Sequence, residues 1–193
     1  MAQSPRALTF ARPEDWGDWL AARHDKDREV WLRLAKKASG IASIDWEQAV
    51  EEALVWGWID SQKKADEDGR FWLQRFTPRG AKSLWSQKNR ATAERLIAGG
   101  WMQPAGLAEV EAAKADGRWD AAYAGQGSAE VPEDFLAALA TAPERARETY
   151  DALDSRNRYA LYHRLTTAKK PETRAKRIAD FVAMLARGER FHN

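Results

Sequence analysis

The residues best suited to chemistry lie between Gly57 and Asn89. Read as a strand, Trp58, Asp60 and Gln62 share one face by the two-residue period of an extended chain, and Ile59, Ser61 and Lys63 share the other. On the next apolar run Phe71, Leu73 and Arg75 share a face, and the chain then passes through FTPRGAKSLWSQKN. That stretch gathers Thr77, Arg79, Ser83, Trp85, Ser86 and Asn89 around a turn and an expected helix start. Free N–H groups at a helix start, a guanidinium and hydroxyls are the parts of an anion or carboxylate site. Trp58, Asp60, Arg75, Arg79, Ser83, Trp85 and Ser86 therefore form the candidate ligand-binding set, lining one concave site if the hairpin register sets residue 60 beside residue 75. In that arrangement Arg79→Ala abolishes binding and changes stability by no more than the ~0.5 kcal/mol of an ordinary surface position. A plainer reading competes. Tryptophans at regular spacing are usually packing, Ser86 is only a helix cap, and Asp60 pairs with Arg75 or Lys63.

Other chemistries find less material. The three histidines, His24, His163 and His192, share no metal-binding spacing, and there is no cysteine to supply a thiolate, a disulfide or a nucleophile. GxSxG, Walker and GxGxxG signatures are absent, so no catalytic residue is assigned and neither a metal nor a cofactor is expected. Carboxylate or lysine chemistry leaves no motif, so an enzyme of unrecognised type using Asp60, Arg79 and a lysine stands as the alternative to a binding protein. Lys36-Lys37 reads as a solvated strand end or a cationic edge stacking on Trp31, and Glu51-Glu52 as a wet helix face.

Charge is unevenly spread. Residues 155–193 hold ten Lys/Arg against three Asp/Glu, while the whole chain carries only +2, so residues 1–154 are net acidic. Lys169, Lys170, Arg174 and Arg177 are the candidate polyanion contacts, with Tyr159 and Tyr162 available to stack on bases. Acids first and bases later is equally the pattern of ordinary helix capping, and no specific nucleic-acid motif accompanies it. Weak, salt-sensitive binding of nucleic acid or an anionic surface is the third functional reading.

The elements that must position these residues are legible from period and punctuation. Val30, Leu32 and Leu34 alternate with Trp31, Arg33 and Ala35, which predicts a strand covered on one face. Asp45 caps a helix that Gly57 ends, and a hairpin follows with its turn at Asp68-Gly69. From Ser86 the period becomes helical, with Pro104, Pro132, Pro143, Ser155 and Pro171 opening successive helices. The fold class is α+β: a small antiparallel sheet of about three strands packed with helices, then a C-terminal all-helical module. The polar, glycine-bearing stretch 124–130 divides a Trp-rich domain, 1–127, from a helical domain, 128–193; all ten tryptophans precede residue 120. No stretch has the ~20 apolar residues of a membrane helix, and without an apolar export core the cytoplasm is the expected compartment.

Five stretches together resemble the YdeI/OmpD-associated, or bacteriocin-protection, family: WLRLAKKASG (31–40), EEALVWGWID (51–60), RFTPRGAKSLWSQKN (75–89), AGLAEVEAAKADGRWDAAY (105–123) and AKKPETRAKRI (168–178). Ser61 stands where such proteins carry glycine after GWID. The resemblance implies an α/β part followed by an all-helical domain, and a role in tolerance of bacteriocins or antimicrobial peptides. It implies no reaction or catalytic residue. It also implies association with outer-membrane porins, against the missing export signal. The first-ranked function is therefore a non-enzymatic binding or protection protein with a pocket for a small anionic ligand or a peptide.

Overall fold

The computed structural model describes residues 7–192. Along the chain run β1 (Ala7–Leu8), α1 (Pro13–Arg23), β2 (Val30–Ala35), α2 (Trp46–Val55), β3 (Trp58–Ala65), β4 (Phe71–Pro78), α3 (Gln87–Ala98) and α4 (Pro104–Ala115). Four further helices follow: α5 (Glu133–Ala140), α6 (Glu144–Asp151), α7 (Ser155–Thr166) and α8 (Pro171–Ala186). The chain forms two compact units, one of residues up to Trp85 with Asn89–Ala121, the other of Ser86–Lys88 with residues from Ala122 onward.

In the first unit the sheet has the order β1-β2-β4-β3. β2 and β3 both pair antiparallel with β4, as the alternation predicts, but β1 joins β2 in parallel. The sheet is thus four-stranded and mixed. A two-residue strand is too short to show any period, so the sequence gives no sign of it.

Register sorts the side chains onto two faces. Val30 lies opposite Phe76, and Trp58 and Asp60 lie opposite Pro78 and Phe76, so these residues share one face. Helices α1 and α2 cover it. Trp16 of α1 sits 5.7 Å from the Phe76 ring and donates its indole N–H to Ala49 O of α2 at 3.1 Å, while Trp19 meets Trp58 edge-on at 6.0 Å. The other face carries Trp31, Arg33, Phe71, Leu73 and Arg75 and is also closed to water, contrary to the one-sided expectation: Trp31, Leu73 and Phe71 are all buried. Long cations do the covering. Lys64 Nζ stands 4.6 Å above Trp31 and the Arg33 guanidinium 3.9 Å above Phe71, each setting its cationic end over an aromatic ring.

Helix α2 begins with a full capping box, Asp45 and Gln48 satisfying each other's backbone N–H groups at 2.9 Å. It ends at Gly57, whose φ of 73° reverses the chain directly into β3. Helix α4 approaches α2 so closely that a Cβ on Gly106 would lie 2.4 Å from Val55 O.

The second unit is built around Phe135, Leu139, Tyr150, Leu161, Leu165, Phe181 and Leu185 from α5 to α8. Its α7 is capped by Asp154, which accepts from Asn157 N at 2.8 Å; the expected cap, Ser155, is the first helical residue instead. Asn157 is 1% exposed and fully engaged. Its amide donates to Asp154 Oδ1 and His192 O, and its oxygen accepts from His192 N at 3.0 Å, fastening the final residues to α7.

Two substitutions check this packing by urea denaturation. Gly106→Ala forces α2 and α4 apart and costs about 1–3 kcal/mol. Asn157→Ala strands buried partners and costs about 1–3 kcal/mol. No loss at either position contradicts the arrangement described.

Candidate functional site

The seven candidate residues separate into four groups. Trp58 and Asp60 lie on the helix-covered face of the sheet, but position 60 pairs with Phe76 rather than with residue 75. That one-residue difference puts Arg75 on the opposite face, where it is ion-paired with Glu29. A bulge between Asp60 and Lys63 then breaks the alternation that would have aligned Gln62 with Asp60. Ser86 belongs to the second unit, bridged to Tyr123, and the next N–H, of Gln87, donates to Tyr123 O at 2.8 Å. The first N–H of α3 is therefore already taken by protein.

Arg79, Ser83 and Trp85 do converge. Arg79 N donates to Gly57 O at 2.9 Å, which holds the exit of β4 against the entry of β3. Its guanidinium lies 3.6 Å above the Trp85 ring and donates from Nη1 to Leu84 O at 3.3 Å. Ser83 closes the intervening turn, its hydroxyl accepting from Gly80 N at 3.0 Å and its carbonyl from Arg118 at 3.0 Å. Arg79 is 5% exposed, so it is not the surface residue that the sequence suggests. A buried guanidinium packed on an indole contributes to folding as well as to any recognition.

Asp60 sits beside this group. Burial pushes its carboxyl above the ordinary aspartate range, against the opposing pull of the Trp46 hydrogen bond, its own backbone and the charge of Arg79. Trp46 Nε1 donates to Asp60 Oδ2 at 3.1 Å, so the carboxylate partner is an indole of α2, not Lys63. On its far side Trp85 meets Trp119 edge-on at 4.8 Å, and its own Nε1 is buried with no acceptor among the described residues. The site is thus Trp46, Asp60, Arg79, Trp85 and Trp119. Sequence reasoning missed Trp46 and Trp119. Trp46 looked like one more apolar position of α2, while Trp119 follows a left-handed Gly117 that no local pattern connects to Trp85.

The remaining candidates also have definite places. Lys169 and Lys170 are exposed, but Arg174 holds Asp134 through two hydrogen bonds of 2.6 and 2.8 Å and also caps Leu165 O. Arg177 donates to Arg164 O. Both arginines therefore tie α8 to neighbouring elements. Tyr162 is buried, its hydroxyl accepting from Ala124 N at 2.8 Å. Glu51 pairs with Arg95 at 2.6 Å, whereas Glu52 is half-buried and raised in pKa by desolvation and by the charges of Glu51 and Glu14, so it is not a plain wet position.

Arg79→Ala removes the stacked cation and its hydrogen bond and lowers stability by about 2–4 kcal/mol; Arg79→Lys loses less. Unchanged unfolding midpoints for both contradict the packing described. Asp60 has its own signature. Its raised folded value means that the native state holds this proton more tightly than the unfolded chain. Its contribution is present at acid pH and is lost as pH rises from the ordinary aspartate range through the raised value. The stability difference between wild type and Asp60→Asn should shift in favour of the variant across that window, and a pH-independent difference would contradict it.

Two family models match separate parts of the chain. Residues 8–109 match the model of a domain of unknown function, DUF8412, and residues 128–188 match the family described as Bacteriocin-protection, YdeI or OmpD-Associated. No curated protein and no solved structure matches the chain. The stretches WLRLAKKASG, EEALVWGWID and RFTPRGAKSLWSQKN fall within the first match, and AKKPETRAKRI within the second. Among the described residues no helix is long and apolar enough to cross a membrane. The chain belongs to the DUF8412 family, matched over more than half its length, and its C-terminal helices match the YdeI/OmpD-associated bacteriocin-protection model.

Proposed function

We propose that this is a binding or protection protein, acting in tolerance of bacteriocins or antimicrobial peptides, that recognises a peptide or small molecule bearing an anionic group at the Asp60–Arg79–Trp85 cluster. The observation that carries the reading is the half-buried Asp60 carboxyl, raised in pKa and held by Trp46 within reach of the Arg79 charge. A guanidinium on an indole offers a fixed positive centre of low hydration. The Asp60 carboxyl beside it supplies hydrogen bonds that discriminate among ligands, and the buried Trp85 N–H supports the same preference for an acceptor-bearing group. The bacteriocin-protection family matched by the C-terminal helices motivates the protective role.

A second reading rests on the same carboxyl. A carboxyl shifted upward by burial is suited to moving a proton, as a general acid or base requires. It would declare itself as turnover whose pH profile follows Asp60 and vanishes in Asp60→Asn. Nucleic-acid binding through α8 ranks behind both, because Arg174 is committed to Asp134.

The test uses Arg79→Lys and Asp60→Asn, each first shown to be folded. Calorimetric titration with short peptides and with N-acetylated amino acids should show binding by wild type that both variants lose. Expression of wild type, but not of the variants, should raise survival of a bacteriocin-sensitive host. Variants that are folded and bind and protect as well as wild type would remove the cluster from the function.

A further inference from the structure

At the far end of the first unit's sheet two lysine pairs meet. Lys36 and Lys37 follow β2, Lys63 and Lys64 lie on β3, and together with Ala65, Asp66, Phe71 and Trp72 they line a cleft of about 490 Å³. Among the described residues none of the four ammonium groups has a carboxylate partner within ion-pair distance, and all four residues are exposed. Two of the three acids in the adjoining turn, Asp66 and Asp68, are already engaged. Asp66 is gripped by Arg33 through two hydrogen bonds of 2.9 Å, and Asp68 accepts from Arg70 at 2.8 Å. Both carboxyls are accordingly held below the usual aspartate range by those guanidiniums. The lysines that line the cleft are left without an ion-pair partner among the described residues.

Lysine on an edge strand has an ordinary use, since it blocks pairing with another chain. That accounts for Lys63 and Lys64, because β3 is an edge strand. It does not by itself account for Lys36 and Lys37, which lie beyond the last residue of β2 and line the same cleft. One of the ammonium groups is also held in place: Lys63 Nζ stands 4.2 Å over Trp72, which lines the cleft, whereas Lys64 Nζ lies 4.6 Å over Trp31 on the opposite face of the sheet. Like charges gathered at one place disfavour the bare surface, and a multiply charged anion relieves them.

We infer that this cleft binds a small oligophosphate, a molecule carrying a chain of phosphoryl groups such as a nucleoside triphosphate. Ammonium groups act on phosphate oxygens as mobile point charges, whereas planar carboxylates are better matched by guanidinium forks, and here the neighbouring forks are occupied. The volume lies within the ~300–1,000 Å³ typical of small-ligand sites. This site is distinct from the Asp60–Arg79 cluster and does not rest on the function proposed for it.

The experiment is isothermal titration of the full chain, free of divalent metal, with inorganic tripolyphosphate, ATP and citrate. Tripolyphosphate and ATP should bind, and citrate, a carboxylate trianion, at least ~10-fold more weakly. Lys37→Gln/Lys63→Gln should weaken tripolyphosphate binding by ~10-fold or more. Lys36→Gln should weaken it less, all these variants keeping the wild-type melting temperature. Lys169→Gln/Lys170→Gln, in the second unit, should bind as wild type does. No binding by wild type would overturn the inference and leave the lysines as edge guards. Equal affinity for citrate, or undiminished binding by the double variant, would also overturn it. So would single-stranded oligonucleotides whose affinity grows steadily with length and is lost in the same variant, since that marks an open polynucleotide track.

Discussion

A guanidinium that is 5% exposed has to be accommodated by everything around it, and Arg79 organises the first unit for that reason. Its backbone N–H joins Gly57 at the start of β3, and its side chain lies on Trp85 past the end of β4. One residue therefore fixes two points that are far apart in sequence. Trp58 and Asp60 take their places from Gly57, whose left-handed φ starts the strand, and Trp85 passes the arrangement on to Trp119. Loss of Arg79 is a change of core as much as a change of charge. Separating the two effects requires the conservative lysine variant.

The sheet shows how the same residue types can serve different ends on its two faces. Under α1 and α2, tryptophans pack on one another and on Phe76, and the single carboxyl among them, Asp60, is desolvated. On the other face no such aromatic layer is stacked from α1, and Lys64 and Arg33 lie across Trp31 and Phe71 instead. Burial there is achieved with cations, so that face stays basic while its rings are dry. Electrostatic character thus follows from what each face is covered with.

Much of the fold was legible because it is locally encoded. The alternation of Val30 to Ala35, the Asp45 cap, the Asp68-Gly69 turn and the opening of α8 at Pro171 each need only a few neighbouring residues to interpret. The strand β1 was not legible, because two residues carry no period. Nor was the site. Whether Asp60 faces Arg79 or Arg75 depends on a register one residue away from the alternative and on a bulge after Asp60, and neither leaves a mark on the pattern of apolar residues. Arg79 read as exposed because charge is a fair guide to exposure unless an aromatic ring distant in the fold provides cover. Arg174 read as a free cation because its partner, Asp134, lies forty residues earlier on α5.

The account turns on Asp60 being a carboxyl lifted by burial and restrained by Trp46 and Arg79, so its own titration is the most direct test. Carboxyl-carbon NMR of the full chain across acid pH, in wild type and in Trp46→Phe, follows it without reference to global stability. A wild-type midpoint above the ordinary 3.8 for aspartate, rising further when the indole hydrogen bond is removed, is the predicted result. A midpoint at or below 3.8, or one indifferent to the loss of Trp46, would contradict the account.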